Sequence, residues 1–481
     1  MKKRIVIFMV VLAMAFIVQP AWSKQPYKIT NSQLLSIKDI MDDPAPFYTK
    51  TNNLKDLLPP EVWEMCVFDM DEMKRLWSEI VGFRSPDVVG EIAPEIKAGK
   101  YSLTDKDQLP FKELMPEYFY NKFNEPGEGP YPNTIGNFTE FEVVPTRQYY
   151  RTLPLAKAAK QYMGTVKQDD AGYIIHESYT AGLPFPRPSG NHKAIQIVYN
   201  YLFNFSFANW ESSVLLDNVF GVNKNWKIDH RGSGVQPNIS AIGRVQFEPY
   251  GWFDKRAEKQ KESVLTMYTV KSPRDIYGNI YGGVLYILPE KPMITLAYVN
   301  VLRRVRKLSS SDRQDQGLGQ DGTFDDAWGF QQNPSPDNYP YEYKILEERE
   351  YLLPTYTQTG DAYVDSTEKF KFKNLQFERR PVWVLEMKQK DPNYIYSKRI
   401  WYVDKETLMP LLMLNYDQKD RLYRTHAFYD GFIPEMGVVH FFHVNNEDFI
   451  DTHSTFSFST GYPNPYLERA DVSFKALMKA K

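Results

Sequence analysis

Cysteine is nearly absent: Cys66 is the only one in 481 residues. A lone thiol forms no intramolecular disulfide and builds no thiolate metal centre, so a small buried hydrophobe is its expected role. An excess of one charge is also missing. Lys and Arg number 58 against 60 Asp and Glu, a net charge of −2, which leaves no global positive field for phosphate backbones. The phosphate-cradling and dinucleotide glycine patterns are lacking, and Arg231-Gly232-Ser233-Gly234 does not have the spacing of a hydrolase nucleophile elbow. No nucleotide or other cofactor is expected, and no catalytic residue stands out. Beyond residue 18 no apolar run reaches the length that crosses a bilayer.

What the chain does have is aromatic side chains, 15% of residues with 33 Tyr and 30 Phe. That composition suits pleated sheet and large apolar or sugar-facing cavities. At the N-terminus, Met1-Lys2-Lys3-Arg4 forms a basic start and Ile5 to Val18 an apolar stretch. Ala21-Trp22-Ser23 then supplies small residues for cleavage after Ser23. A cleaved signal peptide and an exported, periplasmic protein are expected.

From Asn31 to about Phe207 the apolar spacing is helical. Val62, Met65, Met70, Met73 and Trp77 predict a helix behind Pro59-Pro60, with further helices over Leu153 to Met163 and Asn191 to Phe207. After Trp210 the pattern changes to period two. Ten strands are predicted over residues 264–270, 282–288, 294–301, 341–352, 382–388, 395–403, 409–416, 422–429, 438–445 and 452–458, and their short connections favour an antiparallel meander. The division is therefore a signal peptide (1–23), a mainly helical region (24–209) and an antiparallel β half-barrel (210–481). The polar stretch from Lys307 to Asn338 interrupts the strands and is long enough to be a functional lid.

Few chemical motifs remain. His443 and His453 are symmetric about Asp448, so a tight hairpin there would place them opposite each other. A metal would need Glu447 or Asp451 as third ligand, and a hydrogen-bonded histidine pair is the plainer expectation. His440 and His443 fall on opposite faces unless a bulge intervenes. Asp321-Gly322-Thr323-Phe324-Asp325-Asp326 gathers oxygen ligands but departs from calcium-loop spacing, so a flexible, solvated acidic lid is expected. The basic run Arg303-Arg304-Val305-Arg306-Lys307 could fork onto phosphate or carboxylate groups, or pair with the acidic loop that follows it.

Several stretches in succession resemble domain-of-unknown-function family 1329, exported Gram-negative proteins described as outer-membrane lipoprotein-sorting-like. They are Gly182-Leu183-Pro184-Phe185-Pro186 with Gly190 and Asn200, Arg303-Arg304-Val305-Arg306, and Asp325-Asp326 with Phe330. Tyr351, Pro354, Val382-Trp383-Val384-Leu385-Glu386, Tyr396-Ser397-Lys398-Arg399, Tyr402-Val403-Asp404 and Tyr416-Asp417 follow. The chain departs from the pattern at Asn191-His192-Lys193 and at Phe330-Gln331-Gln332-Asn333-Pro334, which lacks a glycine. The resemblance implies an incomplete antiparallel β-barrel wrapped over helices around an apolar cavity. It also implies association with a resistance-nodulation-division type transporter and an outer-membrane barrel protein, and it carries no catalytic residues.

The expected function is thus a non-enzymatic periplasmic carrier or receptor for a lipid or lipidated cargo. An apolar cleft holds an acyl chain through roughly 0.8 kcal/mol per buried methylene, without catalytic groups. Trp383, Leu385, Met387, Trp401, Val403 and Phe442 are the expected walls, with Arg304 and Arg306 at the head group. The alternative is a periplasmic glycan-binding or glycan-hydrolysing protein. An outer-membrane barrel fits poorly with the helical first third and the lysine-rich ending Lys475 to Lys481.

Overall fold

The computed structural model describes residues 54–131, 134–204, 210–309, 312–317, 319–354 and 362–473. The expected signal peptide lies outside the described residues, and among those described no helix is long and apolar enough to cross a membrane.

Four helices matter for the site: α1 (Pro60–Cys66), α2 (Met70–Val81), α3 (Leu153–Gln161) and α4 (Lys193–Asn204). The single helix predicted behind Pro59-Pro60 is two, because the Asp69 side chain accepts from the Glu72 amide at 2.7 Å and starts α2 afresh. Gly82, at φ 95°, ends α2 in the left-handed region. Met73, Leu76, Trp77, Ile80 and Val81 form its buried stripe.

The strands are β1 (Gly99–Ser102), β2 (Glu140–Val143), β3 (Ser212–Val222), β4 (Ile228–Ser240), β5 (Glu262–Ser272) and β6 (Ile280–Tyr286). Then come β7 (Ile294–Val299), β8 (Arg304–Leu308), β9 (Tyr341–Leu353), β10 (Tyr363–Asp365), β11 (Lys371–Lys373) and β12 (Gln376–Gln389). The last are β13 (Lys398–Asp404), β14 (Pro410–Tyr416), β15 (Leu422–Ile433), β16 (Val438–Asp448) and β17 (His453–Pro463). All ten predicted strands are present.

Fifteen strands form one sheet in the order β1-β2-β12-β13-β14-β15-β16-β17-β3-β4-β5-β6-β7-β8, with β9 also on β12, while β10 and β11 pair separately. Every pairing is antiparallel except β2 with β12. Among the described residues β8 and β9 do not pair, so the sheet is an open, incomplete barrel. The meander runs from β12 to β17, and β3 to β8 then continue it from the far side of β17, a long-range join through ten paired positions.

Alternation gives the sheet two faces. Trp383, Leu385 and Met387 of β12, Trp401 and Val403 of β13 and Met413 of β14 lie on the first face, buried with α2, α3 and α4. Val382, Val384 and Ile400 face the other way and meet Phe111, Phe119, Phe123, Phe138, Phe141 and Phe377. Ring centroids there come as close as 4.8 Å, between Phe141 and Phe377. Much of the aromatic excess is therefore filled core on the second face.

Buried charge ties the layers together. Arg380 of β12 meets Asp404 at 2.6 Å, Glu406 at 2.7 Å and Glu378 at 3.0 Å, all fully buried. Glu406 also accepts from the amides of Ser85 and Tyr149, each at 2.9 Å, anchoring the segment before β3. Burial holds Glu378 and Glu406 above the usual carboxylate range despite Arg380.

Candidate functional site

On the first face, polarity changes across the sheet. Under the helices β12 to β14 present tryptophan, leucine and methionine, but from β15 through β17 and β3 to β5 the same face presents His426, Asn446, Ser457, Ser459, Asp217, Gln236, Asn238 and Thr266. Register sets this row: His426 opposes Asn446, Asn446 opposes Thr455, and Ser459 opposes Asp217. A cavity of about 180 Å³ lies over it. Residues 312–317 and 319–335, hereafter the plug, form one side of it, contributing Thr323, Phe324 and Asp326 to the wall.

The plug is seated by ion pairs. Arg313 meets Asp325 at 2.7 Å and Arg399 of β13 meets Asp326 at 2.7 Å, all four buried. Tyr339 and Tyr394 donate to Asp325, each at 3.0 Å, and Tyr396 donates to Asp326 at 2.6 Å. Burial opposes the charged form of both carboxyls. For Asp325 burial prevails and its pKa is raised, whereas Arg399, His426 and Tyr396 hold Asp326 well below the usual carboxylate range. Gly329, at φ 84°, lies so close to β14 that a Cβ would stand 2.6 Å from the Met413 sulfur. Phe330 follows it and packs edge-on against Trp401 at 5.0 Å.

These contacts correct the solvated-lid expectation. Asp321, Asp325 and Asp326 are buried and turn to different partners, His453 with Thr455, Arg313, and Arg399. They do not converge on a shared calcium position.

Polar groups lining the cavity bond to one another and to the buried Asn238. Gln236 donates to Thr266 at 2.7 Å and to Asn238 at 3.1 Å, and Thr266 donates to Asn238 at 2.6 Å. Asp217 accepts from Ser459 at 2.6 Å and Tyr268 at 3.3 Å, and burial pushes its carboxyl up to about 6. His426 Nδ1 contacts Asn446 Oδ1 at 2.5 Å, while its Nε2 has no hydrogen-bond partner among the described residues, and burial lowers its pKa. The site offers amide, hydroxyl, carboxyl and imidazole groups beside Phe324, Tyr281 and Met293.

The expected wall residues sit elsewhere. Trp383, Leu385, Met387, Trp401 and Val403 share the cavity's face but are packed beneath the helices and Phe330, lining neither this cavity nor a second of about 110 Å³ beside α4. The apolar side chains of the helices fill the space an apolar cavity would need. Phe442 is on β16, opposite Asp430 and Ser459, and its side chain lies outside the described residues. Arg304 and Arg306 are exposed on the edge strand β8, away from the cavity, and no ion pair joins them to the acidic loop among the described residues.

The histidine hairpin is also different. Asp448 opposes His453, and His443 opposes Phe458, because the turn runs over Phe449–Thr452. The Asp448 side chain fixes that turn by accepting from the amides of Ile450 and Asp451, both at 2.9 Å. Register shifts between Gly431↔His440 and Asp430↔Phe442, so a bulge does separate His440 from His443, whose side chains lie outside the described residues. Sequence reasoning did not single out Asp217, Gln236, Asn238, Thr266, His426 or Asn446. The usable signal was alternation of polar residues, as in Ser457-Phe458-Ser459.

The architecture is that of a β-rich protein with an open antiparallel sheet and a cavity between that sheet and the plug. The chain belongs to domain-of-unknown-function family 1329: the family described as "Protein of unknown function (DUF1329)" matches residues 133–475. Several quoted motif residues meet in space, Asp325, Asp326 and Phe330 with Tyr396 and Arg399, and Asn200 with the backbone of Phe185 at 2.6 and 2.9 Å. Among solved structures the chain is similar to a DUF1329 family protein from Desulfovibrio piger, at 18% identity over 56% of this chain and 92% of that one, TM-score 0.39. It is similar to a domain described as an outer membrane lipoprotein-sorting protein from Vibrio parahaemolyticus, at 15% identity over 60% and 100%, TM-score 0.42. A LolA superfamily protein from Nitrosomonas europaea is similar at 12% identity over 55% and 91%, TM-score 0.33. No curated protein matches the chain.

Proposed function

We propose that this chain is an exported, periplasmic, non-enzymatic carrier or receptor for a lipid or lipidated cargo. In this reading it works between a resistance-nodulation-division type transporter and an outer-membrane barrel protein. The supporting observation is the plugged cavity on the helix-covered face of an open sheet. At about 180 Å³ it is little larger than a site for one benzene ring, roughly 150 Å³. An acyl chain needs more room than this, and a shift of the plug would supply it. Lifting Phe330 and Gly329 would join the cavity to Trp401, Met413 and Phe428, an apolar floor whose flexible methionine adapts to a floppy chain. Trp383, Leu385, Met387 and Val403 extend that floor, and Arg304 with Arg306 supplies exposed positive charge for a head group.

The polar network of Gln236, Asn238 and Thr266 beside Tyr268 favours a second reading, a small glycan held by amides and hydroxyls. Detergent-free purification from the periplasm, native mass spectrometry and organic extraction separate the two. A lipid released only on denaturation, with less retained by an Arg304→Ala/Arg306→Ala protein, is the expected result. Unchanged lipid in that variant removes the arginines from the reading, and an empty protein that binds glycans removes the lipid.

A further inference from the structure

Three neighbouring strands, β17, β3 and β4, bring together side chains far apart in sequence. Thr455 opposes Gly221, and Gly221 opposes His230. His453 precedes Thr455 by two residues and shares its face, so His453 and His230 flank the glycine. Their rings lie nearly parallel, 5.5 Å between centroids at 13°. Gly221 makes this possible: a Cβ there would stand 1.9 Å from His230 Cε1 and 2.8 Å from His453 Cε1.

Carboxylates complete the cluster. Asp229 Oδ1 lies 3.1 Å from His453 Nε2 and 3.2 Å from His230 Nδ1. Ligand atoms of Asp229, His230 and His453 all lie within 4.8 Å of one another. On the far side of the His453 ring, Asp321 Oδ2 meets Nδ1 at 2.6 Å and is itself fixed by the Thr455 hydroxyl at 2.8 Å. His230 Nε2 is buried with no hydrogen-bond partner among the described residues.

We propose that Asp229, His230 and His453 form a binding site for a zinc-class divalent cation, with Asp321 orienting the His453 ring. Two imidazoles and one carboxylate are a donor set that suits zinc. A carboxylate on the remote nitrogen of a ligating histidine sets its tautomer and raises its basicity, which is the geometry of Asp321, His453 and Asp229. Asp321 belongs to the plug, so a metal here is linked to the plug's seat on β17.

The test is calorimetric titration of the chelator-treated full chain with zinc chloride. One zinc per chain is expected, with Asp229→Asn and His230→Gln each weakening binding about tenfold or more, and Asp321→Asn roughly 10–100-fold. His176→Gln, away from the cluster, should bind as the parent does. Asp229 is the more exposed position and its replacement is nearly isosteric, so that variant decides the matter even if His230→Gln does not fold. No zinc bound by the parent, or full-strength binding by folded Asp229→Asn, overturns the site.

Discussion

Asp217 is a buried carboxyl that accepts from the hydroxyls of Ser459 and Tyr268, and among the described residues no cation pairs with it. Its folded pKa of about 6 stands above the ordinary carboxylate value. The folded state therefore binds the proton more tightly than the unfolded chain, so this group's contribution to stability falls as pH rises from about 4 to 6 and stays lost above that. Asp217→Asn has no charge to bury. It should be more stable than the parent by about 1–3 kcal/mol at pH 7.5 and show no such gain near pH 4, measured by urea unfolding. A difference independent of pH would show that the carboxyl is not held protonated. Neighbouring ion pairs such as Arg399 with Asp326 are common to both proteins and cancel in the comparison.

At the scale of elements, the plug is a long polar segment that reads as a loop yet is seated like core. Its two buried arginine–aspartate pairs place it, and Gly329 sets how near it comes to β14. Gly329→Ala adds a Cβ in the left-handed region, costing roughly 1 kcal/mol, and presses on Met413. Faster limited proteolysis between residues 312 and 335 is expected, with global stability lowered by about 1–2 kcal/mol. Unchanged cleavage would mean that the plug is held elsewhere. Two long strands, β3 and β4, were not legible in the sequence. Asp217, Asn218, Gly232-Ser233-Gly234, Pro237 and Asn238 are poor strand formers, and they stand in strands because one face lines a polar cavity or makes room for stacked imidazoles.

Across the whole molecule, one sheet face serves two purposes, carrying the helices on its apolar half and the cavity on its polar half. Trp401 marks the boundary, touched by Tyr201 of α4 at 5.5 Å and by Phe330 of the plug at 5.0 Å. Trp401→Ala should cost about 3–5 kcal/mol by denaturant unfolding, the price of a void in a filled core. A cost under about 1 kcal/mol would show that the ring borders open space instead. The exposed edge β8, with Arg304, Arg306 and Lys307, leaves the barrel open while its charge discourages pairing with another sheet edge.

Period-two alternation of Val, Ile, Leu and aromatic residues was enough to fix ten strands and their antiparallel sense, because each strand's apolar face must be buried whatever its neighbour. Helical spacing placed α3 and α4 in the same way, to within a few residues at their ends. The motifs around Asp325, Arg399 and Asn200 also marked residues that the fold brings together. What alternation cannot report is the occupant of the space above a face. Helices cover Trp383, Leu385 and Met387, whereas Asp217, Gln236 and His426 remain beside open volume. The join of β17 to β3 spans more than two hundred residues of chain. It places His453 beside His230, a neighbour no local pattern announces, since only the closing of that long loop makes them adjacent.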